Sequence, residues 1–386
     1  MLSDKEIELL TEKFSKRMQK VTEVTYTTIA KRIKKIGKMS KTDLLAINRL
    51  VLFTEDMTKI VQELHKQTDK NISEIEEMYK AISENDYKDN KINFEVNNIE
   101  YIPYEQNNRL KSIVEAVARA TEKEMINIAQ TTAIGFKDYI DNKVVYKGLA
   151  QAYQELLDTA ITSVSIGVSD YQTEMYKILK PLVSSGIRKI DYASGYSRRL
   201  DSSVRQSILM GIRKVNQETT NAIGEQFGAD GYEITAHGDC APDHLDIQGK
   251  QYSKKEFRNL NNELDRPIGE LNCKHFAYPI VLGVSSPSHT KKQLKELRQE
   301  STRKIEYEGK TYTAYEATQV QRKLETQIRQ YKEQKLIGNE KIIKEANQKI
   351  RALTNKYKDF SEKAKLPIKM NRIRMPRIKW FAIKNK

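Results

Sequence analysis

For most of its length this chain repeats apolar residues at every third or fourth position, a spacing that suits helices burying one face. Leu10, Phe14, Met18, Val21 and Val24 form one such series. Leu44, Ile47, Leu50, Val51, Met57, Ile60, Val61 and Leu64 form a second, after a break at Ile36-Gly37-Lys38-Met39-Ser40. Ser3-x-x-Glu6 has the capping-box pattern of a helix start. Residues 85–103 are polar and irregular and predict a junction with a short strand at Ile92–Val96. The helical pattern resumes from Asn107 to Leu179, with breaks near Gly135 and at 143–148, and a loop-rich passage follows around Gly186 and Gly195. Asp201 is the expected N-cap of a helix running to Gly224, with Val204, Ile208, Leu209, Ile212 and Val215 on its inner face.

Residues 228–285 break the pattern. Glycine, proline, cysteine and histidine gather there, helical spacing disappears, and Tyr232–Thr235 and Ala277–Leu282 are strand candidates. Helices return beyond it. Lys304–Tyr312 predicts a hairpin turning at Glu308-Gly309, and two charged helices, Tyr315–Leu336 and Glu340–Lys358, predict an antiparallel pair. The expected fold is therefore mainly α with a small α+β module. It divides into an elongated N-terminal helical region (1–105), a central helical region (106–227), a compact Cys/His module (228–290), a charged helical hairpin (291–362) and a basic tail (363–386). Hydrophobic residues make up 38% of the chain, which favours thin, long helical parts over one large core.

Charge sharpens this division. The chain has 67 Lys and Arg against 52 Asp and Glu, formally +15, but 27 of those bases and only 11 acids lie from Lys291 onward. The first 290 residues are close to neutral, and after Glu362 there are nine bases and no acid. A mean hydropathy of −0.68 and the lack of an 18-residue apolar run argue against a membrane span. The acidic start, without an apolar h-region, predicts no secretory leader, and two cysteines cannot build a disulfide scaffold. Lys363, Lys365, Lys369, Arg372, Arg374, Arg377 and Lys379 are candidate contacts to double-stranded DNA. Nine phosphate contacts would give a log–log salt slope of about −8. Apolar residues interleaved with these charges, Ile368 to Ile383, also suit addition of the tail to a partner's sheet edge, and removal of 363–386 is expected to leave the fold intact.

Both cysteines and three of the five histidines fall between His237 and His275. His237-x6-His244 followed by Cys273-x-His275 supplies four nitrogen and sulfur donors from two loops, the set a tetrahedral zinc ion takes. A hydrogen-bonded histidine cluster around a buried Cys273 is the alternative. A metal-dependent nuclease is a further one. Asp243-His244, Asn261-Asn262 and Cys273-x-His275 follow the order of HNH-type enzymes, although the spacings differ and the flanking paired cysteines are absent.

Thr235-Ala-His-Gly-Asp-Cys-Ala-Pro-Asp-His-Leu-Asp-Ile-Gln-Gly-Lys250 resembles the signature of the tailed-phage minor capsid proteins, the phage minor capsid protein 2 group, akin to Mu F-like head morphogenesis proteins. His237, His244 and Gln248-Gly249-Lys250 keep its register. Asn272-Cys-Lys-His275, Tyr315-Glu316 to Arg322, and Gly186 with Asp191-Tyr192-Ala-Ser-Gly195, Asp201 and Arg205 resemble three more of the family's segments. Ala241 and Ile247 depart from it, standing where the family commonly has Arg and Trp. Cys240 stands where it has a small residue, so the resemblance favours His237, His244, Cys273 and His275 as the shared set. The resemblance covers about residues 1–360. It implies a structural, non-enzymatic virion component, assembled in the host cytoplasm, associated with the portal protein and other capsid proteins at the portal vertex or capsid interior. It also implies a part in head morphogenesis and in DNA packaging or ejection.

Overall fold

The computed structural model describes residues 4–45, 49–137, 144–166, 171, 176, 179–180, 183–191, 193–270, 273–338 and 340–375. Ser3, Ile47, Tyr192, Asn272, Arg377, Lys379 and the apolar residues of the last ten positions lie outside these.

The two apolar series become α1 (Asp4–Ile36) and, beyond a short α2 (Lys41–Leu45), α3 (Arg49–Asp89). At 41 residues α3 is about 60 Å long. Met57, Ile60, Leu64, Ile75, Met78 and Ile82 bury one stripe of it, whereas Leu50 and Val51, at its first turn, are exposed. Ile92–Val96 is helical, not a strand: it lies within α4 (Lys91–Val96), where Phe94 enters an aromatic cluster with Tyr87, Tyr101 and Phe227. One turn of helix places that single aromatic inward, and packing overrides strand propensity.

Asn107 caps α5 (Asn108–Gln130) by accepting from the Leu110 N–H. The breaks that follow are strands. β1 (Thr132–Lys137) pairs antiparallel with β2 (Val144–Gly148), and on its other edge with β3 (Ile187–Ile190), which pairs with β4 (Ser197–Arg199). Between them runs α6 (Leu149–Ser165). The passage expected as loop thus completes a four-stranded sheet, ordered β2-β1-β3-β4. Strands of three to six residues are too short to show a period. Next comes α7 (Leu200–Gln226), with Arg199 at its N-cap position and no side-chain cap; Asp201 sits in its first turn instead of capping it. One apolar core joins α1, α3, α5, α6 and α7, against the expectation of thin helical parts.

After α7 comes a three-stranded antiparallel sheet with β5 (Gly231–Ile234) at its centre, flanked by β6 (Gln251–Ser253) and β7 (Ala277–Ile280). The segment also contains a helix, α8 (Lys254–Glu263), opened by a capping box from Ser253 and Glu256; none of its residues is buried, and only Phe257 and Leu260 among its ten are apolar. Then follow α9 (Lys291–Thr302), the predicted hairpin β8 (Ile305–Tyr307) and β9 (Lys310–Tyr312), and the predicted helices α10 (Ala314–Gln334) and α11 (Glu340–Lys363). Residues 370–373 form one helical turn, α12 (Met370–Ile373). The C-terminal elements share their own core, with Ala364 and Ile373 buried beside Tyr357, Phe360 and Leu324. The basic end is therefore partly folded, and removing 363–386 would take core residues with it.

Charge joins this unit to the helical bundle. Buried Arg199 pairs with Glu333 of α10, Asp201 with Arg329 at 2.5 Å, and Glu8 of α1 with Lys369 at 2.7 Å and Arg372 at 2.6 Å.

Candidate metal centre

Antiparallel pairing of β5 with β7 sets Ile234 opposite Ala277, so the chain leaving one strand runs beside the chain entering the other. The Thr235 N–H donates to the Phe276 carbonyl at 2.9 Å, continuing the ladder. This register brings the loop carrying His237, Cys240 and His244 against the loop carrying Cys273 and His275.

Three donors converge there. His244 Nδ1 lies 3.5 Å from Cys273 Sγ, His275 Nδ1 lies 3.3 Å from it, and the two Nδ1 atoms are 3.3 Å apart. His244 and His275 are 2% and 3% exposed. Each ring's other nitrogen is occupied. His244 Nε2–H donates to the Arg266 carbonyl at 2.7 Å, and His275 Nε2–H donates to Gln248 Oε1 at 3.1 Å. Those bonds leave both Nδ1 lone pairs and the sulfur aimed at one point, where they repel unless a proton or cation sits among them. A tetrahedral zinc ion has N···N edges of about 3.3–3.4 Å and N···S edges of about 3.6 Å, from bond lengths of about 2.0–2.1 and 2.3 Å. The triad's N···N edge and its His244–Cys273 edge are close to these, and the His275–Cys273 edge, at 3.3 Å, is shorter.

Electrostatics separate the two cysteines. Burial alone would raise the Cys273 thiol, but the His244 hydrogen bond and backbone N–H groups hold it below its ordinary range. Burial and the neighbouring Cys273 push Cys240 up to about 12. Cys240 Sγ also lies 3.6 Å from His275 Nε2, the ring nitrogen bound to Gln248, on the side away from the triad. His275 is held neutral, lowered to about 3 by burial and by the adjacent His237 and His244. Burial opposes the charged form of His244 too, but Cys273 raises it above its ordinary value.

His237 lies beside the triad. Its ring lies tilted against His275 with centroids 4.2 Å apart, Nδ1 is 2.8 Å from Asp239, and its buried Nε2 has no hydrogen-bond partner among the described residues.

The remaining motif residues support these loops. Gln248 Oε1 accepts from the His237 N–H at 3.0 Å as well as from His275. Gly249 adopts φ +69° against Leu294 of α9, where a side chain would be strained and would collide. The Tyr315 hydroxyl accepts from Arg266 at 2.8 Å, and Arg266 also pairs with Asp243, so α10 holds the carbonyl that orients His244. Glu316 closes the capping box of α10 with Thr313. Asp191 lies away from the triad, between β3 and β4, where its carboxylate accepts from the Ala193 and Ser194 N–H groups and Gly195 supplies φ +69°. Tyr192 is outside the described residues.

The sequence did not single out Arg266. A lone arginine in a polar loop carries no signal of a role that depends on its carbonyl. The tail candidates divide. Lys369 and Arg372 are bound to Glu8, Lys363 reaches Asp359 at 3.5 Å, and Arg374 is exposed. Among the described residues no helix is long and apolar enough to cross a membrane.

Comparison with known families gives one match: a family described as phage minor capsid protein 2 matches residues 2–362. No curated protein and no solved structure matches the chain.

Proposed function

This chain belongs to the phage minor capsid protein 2 family, and from that premise we propose that it is a structural part of the phage head at the portal vertex, with its Cys/His module clamped by one zinc ion. The triad carries the zinc reading: two Nδ1 atoms and a lowered thiol lie near tetrahedral edge distances, each imidazole oriented by an outer hydrogen bond. His244, Cys273 and His275 hold the ion; His237, whose ring lies against His275 and whose Nδ1 faces Asp239, is outside the set of donors that converge. Zinc here supplies cross-linking, tying the loop after β5 to the loop before β7 and, through Arg266 and Tyr315, to α10. Head morphogenesis, DNA packaging or ejection, and assembly with the portal and other capsid proteins in the host cytoplasm complete this reading.

Two observations favour a structural module over the nuclease. Asp243 is committed to Arg266, and the Asn261 side chain accepts from the Ile268 N–H at 2.7 Å, so both brace the loop. A direct test combines elemental analysis of purified protein with plasmid nicking in Mg²⁺ or Mn²⁺. We expect one zinc per chain and no cleavage. Cleavage lost in His244→Ala would establish the nuclease instead. Labelled protein in purified particles, located at one vertex, checks the placement; absence from particles rejects it.

A further inference from the structure

Where α1, the start of α7 and the C-terminal unit meet, they leave a cleft of about 300 Å³. Arg198, Arg205, Arg322, Arg329 and Arg372, from β4, α7, α10 and α12, line it. The carboxylates nearby are already engaged. Glu8 binds Lys369 and Arg372 and reaches Arg205 only at 3.5 Å. Glu12 holds Lys16 at 2.6 Å, and Glu325 accepts from the Tyr357 hydroxyl. Asp201 takes one arm of Arg329, whose buried Nε has no hydrogen-bond partner among the described residues. Arg322 makes no ion pair among the described residues. Six cationic side chains, these five with Lys16, thus line the cleft with three carboxylates, Glu8, Glu12 and Glu325.

Such an excess is unfavourable in a partly enclosed space. Burial first, with repulsion from Arg372 and Arg322 and against the attraction of Glu8 and Glu325, brings Arg205 down to about 10. A tetrahedral anion with several acceptor oxygens would relieve the repulsion and use guanidinium N–H groups that now lack partners. We propose that this cleft binds a phosphate group, held between Arg205 and Arg322 with Arg329 and Arg372 behind it. Its volume admits a phosphate with ordered water but not a duplex, so a phosphate of DNA would enter from a backbone lying across the mouth. Because the arginines come from both the bundle and the C-terminal unit, the bound anion fastens one to the other.

The test is the melting temperature of the full chain against inorganic phosphate, with chloride balancing ionic strength. Wild type should rise with phosphate, as for any ligand of the folded state. Arg322→Gln should weaken phosphate binding about tenfold or more, the cost of one charge-assisted contact. Without phosphate it should melt at or above wild type, since it removes a repelling charge; Arg322→Lys should fall between. A short DNA duplex that displaces phosphate from wild type but not from Arg322→Gln identifies the anion as a DNA phosphate, whereas no displacement identifies free phosphate. Equal shifts with phosphate and chloride, or a full phosphate shift in Arg322→Gln, would overturn the proposal.

Discussion

Cys240 and Cys273 touch the same imidazole from opposite sides and behave in opposite ways. Cys273 is held toward thiolate by His244, while Cys240 is held as a thiol by burial. Cys273→Ser should therefore abolish stoichiometric zinc and cost roughly 2–5 kcal/mol, visible as a lower Tm. Cys240→Ala should keep the zinc, and elemental analysis of both variants checks the pair. Gln248→Leu should keep the three donors yet lose about 10–100-fold in zinc affinity, measured by competition with a chelator, because His275 then loses its orienting acceptor. Unchanged affinity would show that His275 is positioned by packing alone.

Among the elements, α12 and α1 show how a few charges set a tertiary contact. Burial would raise Glu8, but Arg372 and Lys369 lower it from the ordinary 4.5 to about 2. The folded value lies below the unfolded one, so this contribution is complete above about pH 4.5 and drains away as pH falls toward 2. Glu8→Gln should cost about 1–3 kcal/mol at neutral pH and flatten the acid limb of the stability profile between those values. An acid limb identical to wild type in chemical denaturation would remove Glu8 from the docking contact. The helices themselves were legible wherever one face is buried, as at Phe14 and Met18 or Ile60 and Leu64. Strands β1 to β4, β6 and the helix α8 were not: strands of three to six residues show no period, and α8 has only two apolar residues, Phe257 and Leu260, in ten.

Over the whole molecule, the positive excess has two different fates. Part of it, Arg322, Arg329, Lys369 and Arg372, is built into the junction between the two cores, while Arg374 is exposed and the last four bases, Arg377, Lys379, Lys384 and Lys386, lie outside the described residues. Truncation after Met375 should therefore leave the Tm unchanged and flatten the salt dependence of DNA binding, whereas truncation after Glu362 should also lower the Tm by removing Ala364 and Ile373. An unchanged salt slope in the shorter truncation would reject the tail as a DNA contact.

The order of residues alone determined the long helices, the strands β5 and β7 and which family the motifs resemble. Each of these is local, carried by spacing within a few turns or a few loop positions. Tertiary structure decided which donors meet. His244, Cys273 and His275 become a triad only because β5 and β7 pair with Ile234 opposite Ala277, and Arg205 and Arg322 share a cleft only because α10 docks on the bundle. Such contacts follow from the register and packing of distant segments, which no local pattern encodes.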